Sequence, residues 1–236
     1  NFQLASRLPM FIGMDGSSGL GAVLDSAIAF PNNLSLASVE SDSLLFEFGK
    51  EAGRQMKLIG VNLNLGPILN LAGTNAIQSR FNSFGDDPAT VAHKASVIYD
   101  GFSSEGIIGC AKYFPVQGIT ITEIRNNLPV AKLFVDTVQA SPFRALMNHG
   151  LQGVIRASGQ LPLFYETKSS ARKNRFSSSE LLSASFANQW IRRELAFDGL
   201  VIVDARPIIA TSKKLKAGEA ELFAFQAGND MIITDD

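Results

Sequence analysis

The sequence has few of the residues that build metal centres and covalent cross-links. It contains one cysteine, Cys110, and two histidines, His93 and His149, in 236 residues. A single cysteine excludes an internal disulfide, and with so few histidines a zinc or other transition-metal site is not expected. We therefore predict no metal and no cofactor. Cys110 lies in an apolar run and should be an inert core thiol, whereas both histidines should lie at the surface or at a helix end.

An excess of charge of either sign is also absent. The formal net charge is −1, with 46% apolar and 18% charged residues, a balance typical of a globular protein without a nucleic-acid or anionic-membrane surface. No apolar run reaches the roughly 18 residues of a membrane helix. The chain opens without a signal-peptide pattern, which suits a processed or trimmed start and leaves the compartment open.

Short apolar segments alternate with amphipathic ones along the chain, and this predicts βαβ units with parallel strands. The helices are indicated by apolar residues at helical spacing and by end signals such as Asp87-Pro88, Gly60 and Gly106. Further helices are predicted from Ser177 to Leu195 and from Gly218 to Ala227. The predicted strands are Leu8–Asp15, Val61–Asn70, Ile107–Phe114, Gly153–Ser158, Leu200–Asp204 and Asp230–Thr234.

A closed barrel and a doubly wound sheet both satisfy this alternation. A full barrel has eight strands. The six predicted strands would then leave one or two missing at the termini or unrecognised. No linker or internal repeat divides the chain, and we expect one domain over residues 1–236. In a barrel the site lies at the carboxyl ends of the strands, where this sequence places polar residues. Those residues are Asp15, Asn70, Lys112, Ser158 and Asp204.

Several segments in the same order along the chain resemble family 3 glycoside hydrolases, especially their β-N-acetylglucosaminidase-like branch. The segments are Phe11–Asp15 with Gly19-Leu-Gly21, Asn62-Leu-Asn64-Leu-Gly-Pro67, Ser83-Phe-Gly85-Asp-Asp-Pro88, Cys110-Ala-Lys112-Tyr-Phe-Pro115, Phe197–Ala205 and Ala217–Asp230. The resemblance runs from about residue 8 to the end. It implies an α/β fold of the TIM-type (β/α)8 class. It also implies hydrolysis of β-linked sugars with retention, by an aspartate that forms a glycosyl ester.

The resemblance assigns Asp204 to the nucleophile position and Asp15 and Lys112 to sugar contacts. The family's acid/base histidine is absent, because Glu123-Ile124-Arg125 occupies the matching loop segment. Arginine stays protonated and cannot exchange a proton. Glu123 is a candidate replacement acid, although a neighbouring Arg125 would favour its carboxylate form. Other expected sugar-contacting positions hold Tyr113, Asn70, Asn82 and Ser158 instead of the family's residues.

Two functions therefore remain open. In the first, the chain is a weakly active or inactive relative. It binds a glycan, or a partner protein, in the cleft that corresponds to the family's sugar-binding site. In the second, it is a retaining β-N-acetylhexosaminidase with Asp204 as nucleophile and a substitute acid/base such as Glu123. The expected ligand is a β-linked N-acetylglucosamine-type glycan, and a further domain of the same protein is a candidate partner.

Overall fold

The computed structural model describes residues 2–72, 81–115, 137–157, 191–206, 216 and 218–234. These residues belong to two compact units, Asn1–Ala111 and Lys112–Asp236. The single domain expected over residues 1–236 remains a prediction. Within the described residues, no helix is long and apolar enough to cross a membrane.

Helices and short parallel strands alternate in both units. The first unit contains α1 (Phe2–Ala5), β1 (Gly13–Met14), α2 (Asn33–Ala37), α3 (Asp42–Leu58), β2 (Leu63–Asn64), α4 (Pro88–Ser104) and the first part of β3 (Ile108–Phe114). The second unit contains the rest of β3, then α5 (Thr137–Asn148), β4 (Gly153–Arg156), β5 (Leu200–Asp204), α6 (Glu219–Gln226) and β6 (Met231–Ile233). The predicted helix from Ser177 to Leu195 lies for the most part outside the described residues.

The strand order follows the chain order. β1 pairs in parallel with β2, and β2 pairs in parallel with β3. β4 pairs in parallel with β5, and β5 pairs in parallel with β6, while β3 lies beside β4. The order has none of the reversal that a doubly wound sheet requires. The parallel α/β prediction is confirmed, and six strands are present in the described part of the chain rather than the eight of a full barrel.

The first two strands are shorter than predicted. The amide of Asn62 accepts from Ile12 N at 2.7 Å and donates to Met10 O at 2.9 Å. Residues before Gly13 are thus held by the Asn62 side chain in addition to the backbone, since Ile12 O accepts from Asn62 N at 3.0 Å and from Leu63 N at 3.2 Å. After Asn64 the ladder ends near Pro67, which has no N–H to donate. The strands predicted over 8–15 and 61–70 are therefore wrong in their boundaries.

Glycines let α3 and α4 pack with their backbones almost in contact. A Cβ atom built on Gly49 would lie 2.2 Å from Ile98 O, and one built on Gly101 would lie 2.3 Å from Phe46 O. No real Cβ atom tolerates such a separation, so a side chain at either position would force the helices apart. The layer of α3 and α4 consequently depends on glycine at both places.

The single cysteine and both histidines lie where the sequence predicts, since His149 is exposed directly after the end of α5. Cys110 is fully buried in β3, and its burial raises the pKa of the thiol to about 12. A thiol held in this neutral form is a poor nucleophile, which confirms the inert core thiol. His93 is exposed on α4, and its Nε2 lies 3.0 Å from a carboxylate oxygen of Asp42. It is therefore the surface histidine that the sequence predicts.

Asp87 begins α4 as the sequence predicts. Its Oδ2 accepts from both the backbone N and the Oγ1 of Thr90, each at 2.7 Å. Pro88 follows at the first helical position, where its missing N–H leaves no intrahelical bond unmade. These hydrogen bonds hold the pKa of the Asp87 carboxyl below its ordinary value.

We predict that Asp87→Ala lowers the melting temperature at neutral pH, because the first turn of α4 loses its cap. Since the folded-state pKa is depressed, the carboxylate contributes stability above its ordinary value of 3.8. That contribution is lost as pH falls through the folded-state pKa. Thermal melts of the two proteins should therefore converge in acid. The neighbouring exposed Asp86 provides the control, and Asp86→Ala should change little. A melting-temperature difference that stays constant from neutral to strongly acidic pH would contradict this account.

Candidate functional site

Asp15 lies exposed directly after β1, and Ser17 holds its carboxylate. Its Oδ1 accepts from the hydroxyl of Ser17 at 2.8 Å and from Ser17 N at 3.3 Å. The bonds fix the side chain in a local turn. An exposed carboxylate at the carboxyl end of a strand is well placed to accept a hydrogen bond from a ligand hydroxyl.

A buried asparagine joins the loop that carries Asp15 to the next strand. Asn64 ends β2 and is 1% exposed. Its Oδ1 accepts from Gly16 N at 3.0 Å. A Cβ atom on Gly16 would lie 2.6 Å from the sulfur of Met56. Glycine therefore lets the backbone at position 16 pack closely against the Met56 side chain. Asn64 therefore fixes the backbone beside Asp15, a role that the sequence analysis did not assign to it.

The backbone carbonyls of the predicted residues Asn70 and Asn82 both accept side-chain hydrogen bonds. Ser83 Oγ lies 2.7 Å from Asn70 O and 2.9 Å from Gly85 O, so its hydroxyl can donate to either carbonyl. The carbonyl of Asn82 accepts from the amide of Asn33 at 2.8 Å. Asn70 is buried, whereas Asn82 is exposed. Ser83 thus holds the backbone at Asn70 and Gly85, and the Asn82 side chain is open to solvent.

Lys112 and Tyr113 are adjacent in β3, within the second unit. Lys112 is buried, and its Nζ lies 5.7 Å from the centre of the Tyr113 ring. The peptide bond between the two residues is cis. At this distance the ammonium attracts the aromatic face. A tyrosine beside the lysine thus provides an aromatic surface where the resemblance leads one to expect a histidine.

Asp204 is the last residue of β5, and both of its carboxylate oxygens are engaged by Arg206. Its Oδ1 accepts from Arg206 Nε at 2.8 Å and from Arg206 N at 3.1 Å. Its Oδ2 accepts from Arg206 Nη2 at 2.7 Å. A two-pronged guanidinium–carboxylate pair is the strongest geometry available to these groups. The Asp204 side chain is 21% exposed and that of Arg206 is 47% exposed, so the pair remains open to solvent.

Strand alternation places Asp204 on the face of the sheet away from α6. Val203 is buried against Ala224 of α6, together with Ile232. Because successive side chains of a strand point to opposite faces, Asp204 points away from this apolar layer. A carboxylate buried in packed core could not reach a sugar and would exclude a glycosidase site. Asp204 is partly exposed instead.

Arg156 also ends a strand, but it belongs to the layer between sheet and helix. It pairs with Val203 in the ladder of β4 and β5, so the two side chains share a face. Arg156 is fully buried, and its Nη1 donates to Asn229 Oδ1 at 2.8 Å. The arginine therefore stabilises the packing of the second unit and lies on the face opposite Asp204.

Of the predicted site residues, the sequence neighbours Lys112 and Tyr113 lie beside each other. The described contacts of the other two strand-end carboxylates involve residues that the sequence did not single out for the site. Asn64 holds the backbone next to Asp15, and Arg206 pairs with Asp204. The predicted residues Glu123, Arg125 and Ser158 lie outside the described residues. Among the residues that the structure does describe, no group of three or more His, Cys, Asp or Glu side chains could hold a metal ion.

Comparison with known proteins identifies the scaffold. The family model for the glycosyl hydrolase family 3 N terminal domain matches residues 2–236. Beta-hexosaminidase A of Pseudoalteromonas piscicida is 23% identical over 98% of this chain and 40% of its own length. Beta-hexosaminidase LpqI of Mycobacterium tuberculosis is 26% identical over 96% of this chain and 58% of its own length. The chain thus spans between 40% and 58% of the length of these two relatives.

A solved structure shares the fold. NagZ from Neisseria gonorrhoeae in complex with N-trifluoroacetyl-D-glucosamine has a TM-score of 0.74 to this chain, at 18% identity. The match covers 96% of this chain and 65% of that one. The similarity at this level of identity concerns the fold alone. Together with the family match, it confirms the resemblance found in the sequence.

We predict that Asn64→Ala destabilises the first unit and loosens the loop that carries Asp15. Removing the buried amide leaves Gly16 N–H without its acceptor, which costs about 1–3 kcal/mol in the free energy of unfolding. Urea unfolding measures this loss, and amide hydrogen exchange at Gly16 measures the loosening.

The matched control is Asn62→Ala, which removes the side chain bonded to Ile12 and Met10. It should also lose stability but leave Gly16 exchange close to that of the wild type under native conditions. Equal acceleration at Gly16 in both variants would show that Asn64 has no local role there.

Proposed function

The chain belongs to glycosyl hydrolase family 3, and we propose that it is a β-N-acetylhexosaminidase-like member that binds a glycan and hydrolyses it weakly or not at all. The ligand we propose is a β-linked N-acetylglucosamine-type glycan. Two relatives named as beta-hexosaminidases and a solved relative in complex with N-trifluoroacetyl-D-glucosamine support this ligand class.

The state of Asp204 carries the proposal. The residue stands at the end of β5, partly exposed and outside the apolar layer, where a nucleophile would face a sugar. Both of its oxygens nevertheless accept hydrogen bonds from Arg206. A retaining glycosidase needs a carboxylate oxygen free to attack the anomeric carbon. Sugar binding at this position is therefore compatible with the geometry, while attack is impeded.

The second requirement of the reaction, a proton donor for the leaving group, is weak in this sequence. The segment that matches the family's acid/base loop reads Glu123-Ile124-Arg125 and contains no histidine. Loss of general acid catalysis typically removes a factor of roughly 10²–10⁴ in rate. Activated substrates whose leaving group needs no proton would be less affected.

We further propose that residues 1–236 form the TIM-type (β/α)8 barrel of the family as one domain, with the sugar at the carboxyl ends of its strands. The sequential parallel strand order and the fold shared with NagZ support this barrel. Since the relatives are longer than this chain, a further domain of the same protein is a candidate partner. The residues proposed to contact the sugar are Asp15, Asn70, Asn82, Lys112, Tyr113 and Ser158.

We predict binding of N-acetylglucosamine by calorimetry, with no turnover of an unactivated disaccharide and slow turnover of an aryl β-N-acetylglucosaminide. Asp204→Ala should abolish the slow aryl turnover, because the nucleophile is removed. Asp198→Ala changes an exposed aspartate of the same unit and should leave turnover unchanged.

Two results would contradict the proposal. Disaccharide turnover in the ordinary enzymatic range of about 1–10³ s⁻¹, abolished by Asp204→Ala, would identify an active hexosaminidase with a substitute acid such as Glu123. The absence of any sugar binding would instead indicate a structural or protein-binding role for the chain.

A further inference from the structure

Arg206 has no counterpart among the roles that the family resemblance assigns, yet it makes the most extensive described contact with Asp204. It follows Asp204 by two residues and folds back onto the carboxylate through its backbone N, its Nε and its Nη2. The contact is local, so it needs no other element to bring the two groups together. Asp204 and Arg206 therefore form a local pair at the end of β5.

This pairing opposes the attack of Asp204 on a sugar for two physical reasons. The guanidinium engages both carboxylate oxygens, so at least one charge-assisted hydrogen bond must break before an oxygen bonds to carbon. In addition, the transition state of a retaining glycosidase carries positive charge on the sugar ring. A fixed guanidinium charge beside the nucleophile is unfavourable for that developing charge.

The exposure of the pair indicates which partner can leave. Arg206 is 47% exposed at its side chain and Asp204 is 21% exposed. The long arginine side chain can therefore turn into solvent while Asp204 stays at the strand end. The pair joins residues only two positions apart and is open to solvent, so we expect the chain to stay folded when the guanidinium is removed.

We propose that Arg206 is a positioning residue that holds Asp204 in an unreactive state, so that loss of the guanidinium raises the rate of covalent attack at Asp204. The inference rests on the proposed function, in which Asp204 faces a bound N-acetylglucosamine unit. It goes further by assigning part of the lost activity to one residue beside the nucleophile position, separately from the absent acid/base.

The experiment uses an aryl glycoside that needs no proton donor, 2,4-dinitrophenyl β-N-acetylglucosaminide. An oxygen of Asp204 forms the bond to the anomeric carbon while the bond from that carbon to the aryl oxygen breaks. The electron pair leaves with dinitrophenolate, which is a stable anion. Intact-protein mass spectrometry measures the rate at which one N-acetylglucosaminyl unit is attached, and peptide mapping locates it.

Arg206→Met keeps a long unbranched side chain and removes every donor of the guanidinium. It should attach the sugar to Asp204 about tenfold faster than the wild type, the change expected when one charge-assisted hydrogen bond no longer has to break. Arg206→Lys retains one charged donor group and should fall between the two. Arg193→Met changes an exposed arginine of the same unit and should match the wild type.

The outcomes separate this inference from the proposed function. If the wild type binds N-acetylglucosamine and Arg206→Met attaches the sugar no faster, the role of Arg206 is wrong while the proposed function stands. If no protein binds the sugar, the proposed function fails and this inference fails with it. Should Arg206→Met not fold, the rate of Arg206→Lys decides, since a rate equal to or below that of the wild type contradicts the role.

Discussion

Parallel strand pairing is the constraint on which the candidate site depends. When neighbouring strands run in the same direction, their carboxyl ends meet at one edge of the sheet, and the residues that follow them are brought together. In the first unit this edge carries Asp15 and Asn64, and in the second unit it carries Arg156 and Asp204. Because side chains alternate along a strand, those of Arg156 and Asp204 lie on opposite faces of the sheet. Arg156 enters the packed layer with Val203, whereas Asp204 points away from it.

Much of the fold could be predicted from the sequence, because its signals are local. Each strand in the described part of the chain coincides with an apolar segment that the sequence marks, and Asp87-Pro88 fixes the start of α4. The contacts of the site could not be predicted in the same way. The ion pair of Asp204 with Arg206 depends on the backbone path after β5, and the bond from Gly16 to Asn64 joins residues 48 positions apart. The repeated asparagines of Asn62-Leu-Asn64 were a visible signal, but only the structure shows which backbone groups they hold.

The motifs that carry the family resemblance have packing roles in this chain. Ser83 ties its loop to Asn70, Phe84 is buried in the first unit, and Asp87 caps a helix. Asn62 and Asn64 hold the chain on either side of β1. These contacts serve folding and are independent of catalysis. Membership of the family therefore says little about activity, which depends on the residues around Asp204 and on the sequence segment that contains Glu123 and Arg125.

In the proposed function, a sugar binds at the carboxyl ends of the strands while Asp204 remains paired with Arg206. A crystal structure of the protein soaked with N-acetylglucosamine would show both features at once. We expect a sugar within hydrogen-bond distance of Lys112, with an Asp204 carboxylate that still accepts from both Nε and Nη2 of Arg206. A sugar bound elsewhere on the chain, or an Asp204 turned away from Arg206 in the sugar-free crystal, would contradict this expectation.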